Sequence, residues 1–308
     1  MIEENQIPKD PSIRTPMQEN LKLPATEEEM STPRQLQYVA NFPYRKLIGV
    51  IIYLNVCTRP TISYAISVLA QFNAKPTFLA CKALLWLCKF LYNTKSDKLT
   101  LGGVSTPVIT SFCDSDWGGC VNTRYSRSGH VVFIGNGPVV WYSKRQTNVA
   151  QSSAEAEFIA KAPCCQNSNF VRRVINCANI PGIRFRLASG LWSDNQSSIA
   201  IALNPVLHNR TKHIVIKYQY VNECVQNGNV VIDFVRSKDN YSDMFTKPVG
   251  PILFTSHSEY VMGHMEIPRV LKKVKTVEED ILPCPCCLLS WKLRRTSSTL
   301  GGVLKLSV

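Results

Sequence analysis

From about Ser105 to Val249 the chain switches from helical to strand-forming periodicity, and the order of the stretches there constrains the fold most. "TPVITSFCD" reads as a strand. "GHVVFIGNGPVVWYSKRQ" reads as two strands around the Gly-Asn-Gly turn at Gly135 to Gly137. "SSAEAEFIAKAPCCQNSNFVRRVINCANI" opens on cap-type serines and runs as a helix to Asn179. "FRLASGLWSDN" is a strand ending at Asp194, and "QSSIAIALNP" is a short helix closed by Pro205. "KHIVIKYQYVNECVQNG" is a helix closed by Gly228, "NVVIDFVRS" a strand, and "DNYSDMFTKP" the start of a last helix. The order β-β-β-α-β-α-α-β-α predicts an α/β fold: five strands in one sheet with helices flanking it.

Upstream, "YRKLIGVIIYLNVCTRPTISYAISVLAQF" and "PTFLACKALLWLCKFLYNT" carry apolar residues at helical spacing, punctuated by Pro60 and Pro76. Residues 44–104 are therefore expected to form a small helical module, too short for most folds to stand alone. Residues 1–43 have little apolar periodicity and read as a linker or truncated domain edge. Residues 105–249 form the mixed domain, and residues 250–308 read as a divergent tail. No stretch is a convincing membrane span: the longest apolar run carries Lys82 and Lys89. Twelve cysteines without a secretion-type leader point to reduced thiols inside a cell. The "CPCC" at Cys284 to Cys287 lacks a partner ligand pair for a zinc site. The formal net charge of +13 suits a polyanionic partner, nucleic acid or an anionic membrane, although a basic surface can also serve none.

Acids gather where elements end. Asp114 and Asp116 close the first strand, Glu155 and Glu157 lie in the first turn of the long helix, Asp194 closes the fourth strand, and Asp243 falls in the last helix. Singly, each has an ordinary role: Glu155 or Glu157 as a first-turn acid favoured by the helix dipole, Asp194 as an N-cap, Asp239 or Asp243 as a cap of the final helix. With the first and fourth strands central, Asp114 and Asp194 reach the same sheet edge, and the helix brings Glu157 over them. Converging carboxylates repel unless a cation lies between them, and hard divalent ions prefer oxygen ligands. Two such ions about 4 Å apart serve phosphodiester hydrolysis. Lys144 and Arg145 are candidate phosphate contacts, or equally a solvated pair.

These residues also carry a family resemblance. "DSDWGG", "SSAEAEF", "DNQSS", "RTKHI" and "DMFTKP", in this order and spacing, resemble the ribonuclease H domain of copia-type retrotransposon Pol polyproteins from about Ile109 to Val249. The segment from about Thr15, with "TPMQENLKL" and "YRKLIGVIIYLNVC", is similar to the thumb and connection region after the polymerase palm. The resemblance implies a ribonuclease H-like mixed five-stranded sheet preceded by a helical thumb or connection remnant. It implies metal ligands and catalytic acids at Asp114, Glu157, Asp194 and Asp243, with Asp116 supporting or structural. It also implies two Mg²⁺ ions (Mn²⁺ as a substitute) and RNA–DNA hybrid as substrate. Nucleic-acid contacts are expected from Lys144, Arg145, Arg210 and Lys212. His213 is read as backbone-contacting or structural. Partners implied are the missing palm and other Pol and Gag products, in a cytoplasmic virus-like particle or the nucleus. The paired palm aspartates do not occur in this sequence, so the activity expected is nuclease rather than polymerase.

The sequence departs from the family pattern in places. No histidine precedes Asp243 in "VRSKDNYSD", as is usual for the copia type; Thr61 stands where the family has an aspartate; and Pro163 interrupts the long helix. An interior proline costs roughly 3 kcal/mol and predicts a break or kink there. These departures keep open a second reading, an inactive remnant that at most binds nucleic acid. A third, a retroviral-type integrase, needs a different acid order and a zinc module that are not seen.

Overall fold

The computed structural model describes residues 8–24, 32–102, 108–179, 188–204 and 215–268. They lie within one compact unit, Met1–Lys275. Four helices come first: α1 (Pro33–Asn41), α2 (Tyr44–Cys57), α3 (Ser63–Leu69) and α4 (Phe78–Asn93). α1 lies inside the expected linker. Its start is a capping box: Thr32 accepts from the Gln35 backbone N–H while the Gln35 side chain accepts from the Thr32 N–H, with Pro33 at the first helical position. Residues 8–24 are likewise packed. Ile13, Met17 and Leu23 are buried, and Trp86 donates its indole N–H to the Thr15 carbonyl at 2.8 Å. Residues 8–24 are thus docked on the helical module, with Ile13, Met17 and Leu23 in the shared core.

The sheet contains β1 (Ile109–Asp116), β2 (Arg127–Ile134), β3 (Gly137–Arg145), β4 (Ser189–Ser193) and β5 (Val230–Phe234), in the order β3-β2-β1-β4-β5. β1, β2 and β3 pair antiparallel, whereas β1 pairs with β4 and β4 with β5 in parallel. The connections account for this. Only two residues separate β2 from β3, and Gly135 adopts φ +62°, as a tight hairpin demands. The parallel steps run through helices, α5 (Ser153–Ala178) before β4, then α6 (Gln196–Leu203) and α7 (Val215–Gln226) before β5.

α5 is capped by Ser152, which accepts from the Glu155 N–H, and ends at Asn179 in a left-handed conformation. It passes through Pro163 unbroken. Ile159, Ala160, Ala162, Cys164 and Cys165 around the proline are buried against the sheet and its neighbours. Packing on both sides of the ring offsets the lost backbone bond.

The sheet is covered on both faces. Cys113, Leu191 and Ile232 pack with Phe158 of α5 and Val221 of α7. On the other face Phe112, Val131 and Phe133 share a core with Leu47, Ile48, Ile51, Leu84 and Leu87 of the helical module. Trp141 of β3 donates to the Asn55 carbonyl at 2.8 Å, joining the two. Helical module and sheet therefore share one interior.

The end of the chain also differs from expectation. "DNYSDMFTKP" does not begin a helix; it forms two 3₁₀ turns, Ser237–Asp239 and Asp243–Phe245. The last helix, α8 (Pro251–Val261), starts after Gly250, inside the expected tail. Phe254 meets Phe90 edge-on, Tyr260 stacks on Tyr241, and Thr100 donates to the Met262 carbonyl. Proline at the first position of α8 fixes its start, and its buried residues are few, so it shows weak periodicity. "CPCC" lies outside the described residues. The nine cysteines within them are free thiols. Among the described residues no helix is long and apolar enough to cross a membrane.

Candidate active site

The acid cluster follows from strand register. β1 and β4 pair in parallel up to Phe112 and Trp192. Asp114 and Asp194 each stand two residues further on, so neighbouring parallel strands deliver them side by side. Glu157 comes from the first turns of α5, and its Oε1 accepts the Ser115 backbone N–H at 3.0 Å. One carboxylate oxygen from each of Asp114, Glu157 and Asp194 lies within 4.8 Å of the other two.

Asp194 does not cap α6: Asn195 does, accepting from the Ser198 N–H at 2.8 Å. This leaves the Asp194 side chain to the cluster. Of the α5 glutamates, Glu157 is buried and Glu155 only half-buried, where it accepts from the Gln151 N–H. A two-residue step turns a helix by about 200°, so the pair faces opposite ways.

Asp243 is buried at the start of its 3₁₀ turn, 4% exposed, and its Oδ2 lies 3.0 Å from Lys247 Nζ. The next residues serve the cluster too: the Thr246 hydroxyl donates to Asp114 Oδ2. Gly129, opposite Asp114 on β2, lets this turn approach. A Cβ there would sit 2.7 Å from both Phe245 Cβ and Thr246 Cγ2. Gly129→Ala is expected to push the 243–246 turn outward and cost about 1–3 kcal/mol, the usual range for overpacking. A chemical-denaturation midpoint lowered without a change in slope would show it.

Electrostatics mark the site as strained without cations. Burial, then the charge of Asp114, raises the Glu157 pKa well above the usual carboxylate range, and Lys161 partly offsets this. Asp243 is pushed up to about 7 by burial and Asp114, again partly offset, here by Lys247. Burial also raises Asp116, with Asp114 adding to it. Two oxygens, Glu157 Oε2 and Asp243 Oδ1, are buried without a hydrogen-bond partner. Buried anionic oxygens with open valence on an all-oxygen donor set fit a hard divalent cation.

Asp116 has a structural use as well. The Gly119 backbone packs on its carboxylate so closely that a Cβ would fall 1.6 Å from Oδ2, and Gly118 adopts φ +63°, so each glycine of "DWGG" has its own reason.

Lys144 is exposed at the end of β3, in register with Ser128 and through it with Ser115. Arg145 is instead engaged with the helical module: it donates to Gln71 Oε1 at 3.1 Å and lies over the Tyr125 ring. Arg210, Lys212 and His213 lie outside the described residues.

Two lysines enter the site that sequence reasoning did not assign. Lys161 is fully buried and donates to Ser193 Oγ at 3.0 Å and Ser198 Oγ at 2.7 Å. Its spacing of four from Glu157 was a usable sign, since i and i+4 share a helix face. Lys247 follows the 3₁₀ turn Asp243–Phe245, and its backbone N–H still reaches the Asp243 carbonyl four residues back, so the same i, i+4 spacing was a usable sign there.

This strand order, with acids leaving the ends of two central parallel strands and a third acid on the first crossover helix, defines a ribonuclease H-like domain. No family model matches the chain. It is 30% identical over 257 residues to the retrovirus-related Pol polyprotein from transposon TNT 1-94 of Nicotiana tabacum, covering 82% of this chain and 18% of that protein. It is 32% identical over 225 residues to the corresponding polyprotein from transposon RE1 of Arabidopsis thaliana, covering 73% of this chain and 15% of that one. A solved ribonuclease H1, LC11-RNase H1 isolated from compost, aligns over 45% of this chain and 92% of its own, at 12% identity and a TM-score of 0.35. The chain belongs to the copia-type retrovirus-related Pol polyproteins. It spans less than a fifth of the length of these relatives.

Proposed function

We propose that the chain is the ribonuclease H end of a copia-type Pol polyprotein, a divalent-metal-dependent endonuclease for the RNA strand of RNA–DNA hybrids. The observation that carries this reading is the meeting of Asp114, Glu157 and Asp194 within 4.8 Å in a site where two carboxylates are held above their usual pKa. Asp114, Glu157 and Asp194 would hold metal directly, with Asp243 completing the acid set. Mg²⁺ is the ion proposed, with Mn²⁺ as a substitute; when bound it supplies activation of attacking water and stabilisation of the departing 3′ oxygen.

The protein's own groups prepare this chemistry. The Ser115 N–H and Thr246 hydroxyl orient Glu157 and Asp114. Lys161 lies beneath the cluster as a fixed positive charge held by two serine hydroxyls. The hybrid would be recognised through A-like shape and 2′-hydroxyls rather than base sequence. Lys144, exposed at the end of β3, is a candidate phosphate contact, with Arg210 and Lys212 as further candidates. The +13 net charge predicts binding that weakens steeply with salt. The helical module would be the remnant that joins the nuclease to a palm supplied elsewhere in the polyprotein.

The test is cleavage of a labelled hybrid by the purified chain in Mg²⁺, with Asp194→Asn alongside. Wild-type cleavage that disappears in Asp194→Asn supports the reading. Cleavage that survives the substitution overturns it, and hybrid retention by wild type without turnover replaces it with a binding remnant.

A further inference from the structure

Asp243 differs from the other three acids in its direct ion pair with a lysine. Lys247 Nζ lies 3.0 Å from its Oδ2, and the lysine reaches there from the protein surface, its side chain 44% exposed against 6% for Asp243. The same short turn makes the arrangement local. Lys247 donates its backbone N–H to the Asp243 carbonyl, and Thr246 between them holds Asp114. The three acids that come within 4.8 Å of one another do not include Asp243.

We propose that Lys247 is a tethered cation on the Asp243 arm. The substrate-free protein then takes one divalent ion, on Asp114, Glu157 and Asp194, and a second ion enters only by displacing the ammonium. Glu157 Oε2, buried without a partner, is left open for the first ion. Lys247 is a positioning residue here: it sets how many ions the acids take before substrate arrives. The inference rests on the metal-site reading above.

The experiment counts ions rather than turnover. Mn²⁺ is titrated into the full chain, and bound metal is measured from the loss of the free-ion electron paramagnetic resonance signal. An Asp114→Asn/Asp194→Asn double variant gives the background. Wild type is expected to bind one ion above background, Lys247→Arg one, and the neutral variants Lys247→Met and Lys247→Gln two. Combining Lys247→Met with Asp243→Asn should return the count to one. Two ions in wild type, or one in both neutral variants, overturns the role of Lys247 while leaving the metal site standing. No ion above background in wild type and in the neutral variants overturns the metal site and this inference together. Near-ultraviolet circular dichroism confirms that each variant is folded, and Lys247→Arg controls for loss of the side-chain stem.

Discussion

Glu157→Gln is expected to abolish hybrid cleavage and, in EDTA, to raise the melting temperature. The two effects have one cause. Glu157 is 5% exposed, and its pKa is raised first by burial and then by the negative charge of Asp114. Near neutral pH the metal-free protein must either keep a proton on this group or hold repelling charges together. Both cost stability relative to the unfolded chain, where the carboxylate ionises freely. Glutamine keeps the shape and still accepts from the Ser115 N–H through Oε1. Its amide replaces the unpartnered Oε2 with a donor beside Asp114. The gain is expected to be about 1 kcal/mol or more, comparable to satisfying a buried polar group. For catalysis the same change removes one of three oxygen donors. Losing the several kcal/mol that a bound ion contributes lowers the rate by about 10³-fold or more. Differential scanning calorimetry in EDTA and a single-turnover hybrid assay in Mg²⁺ give the two readings. A lower melting temperature together with lost activity would mean that Glu157 serves packing, and would refute the claim that the site is strained without metal.

The parts of this site that could be read in sequence were those set by regular structure. Asp114 and Asp194 follow strand stretches with clear apolar content, so parallel neighbours bring them together once the order of strands is known. Glu157 follows from a capped helix and its geometry. Lys247 and Thr246 were not assigned, because they follow a 3₁₀ turn, Asp243–Phe245, where the sequence led to the expectation of a helix. Lys161 was overlooked for a different reason. Lysine is almost never fully buried, so nothing in the sequence marked this one as an interior residue. The segments 8–24 and α8 escaped notice because each buries only a few separated side chains, among them Ile13, Met17, Phe254 and Val261, on a surface the helical module provides. Pro163 failed as a breaker because local propensity is weaker than the burial of a 26-residue helix against a sheet.

Asp243→Asn should stabilise the metal-free protein at high pH and leave it nearly unchanged at low pH. Asp243 has an ordinary value of 3.8 and is pushed up to about 7 in the folded chain, chiefly by burial and secondly by Asp114. Below about pH 4 the group is protonated in both states and contributes nothing to the difference. Between about 4 and 7 the folded state holds a proton that the unfolded chain has released, so raising the pH draws the equilibrium towards unfolding. Above about 7 the full penalty stands. With about 1.4 kcal/mol for each pKa unit, the loss is on the order of a few kcal/mol. Asparagine does not titrate, and the Lys247 it leaves behind is exposed enough to be solvated. The melting temperatures of the two proteins in EDTA should therefore converge near pH 4–5 and separate by roughly 5–10 °C at pH 8, with the variant higher. Saturating Mg²⁺ should narrow the gap at pH 8, because an ion that binds only the folded state restores the stability that carboxylate repulsion removes. Parallel curves across the whole pH range would mean that Asp243 is ionised throughout and that Lys247 alone suffices to neutralise it. A gap that widens as the pH falls would contradict the direction of the shift itself.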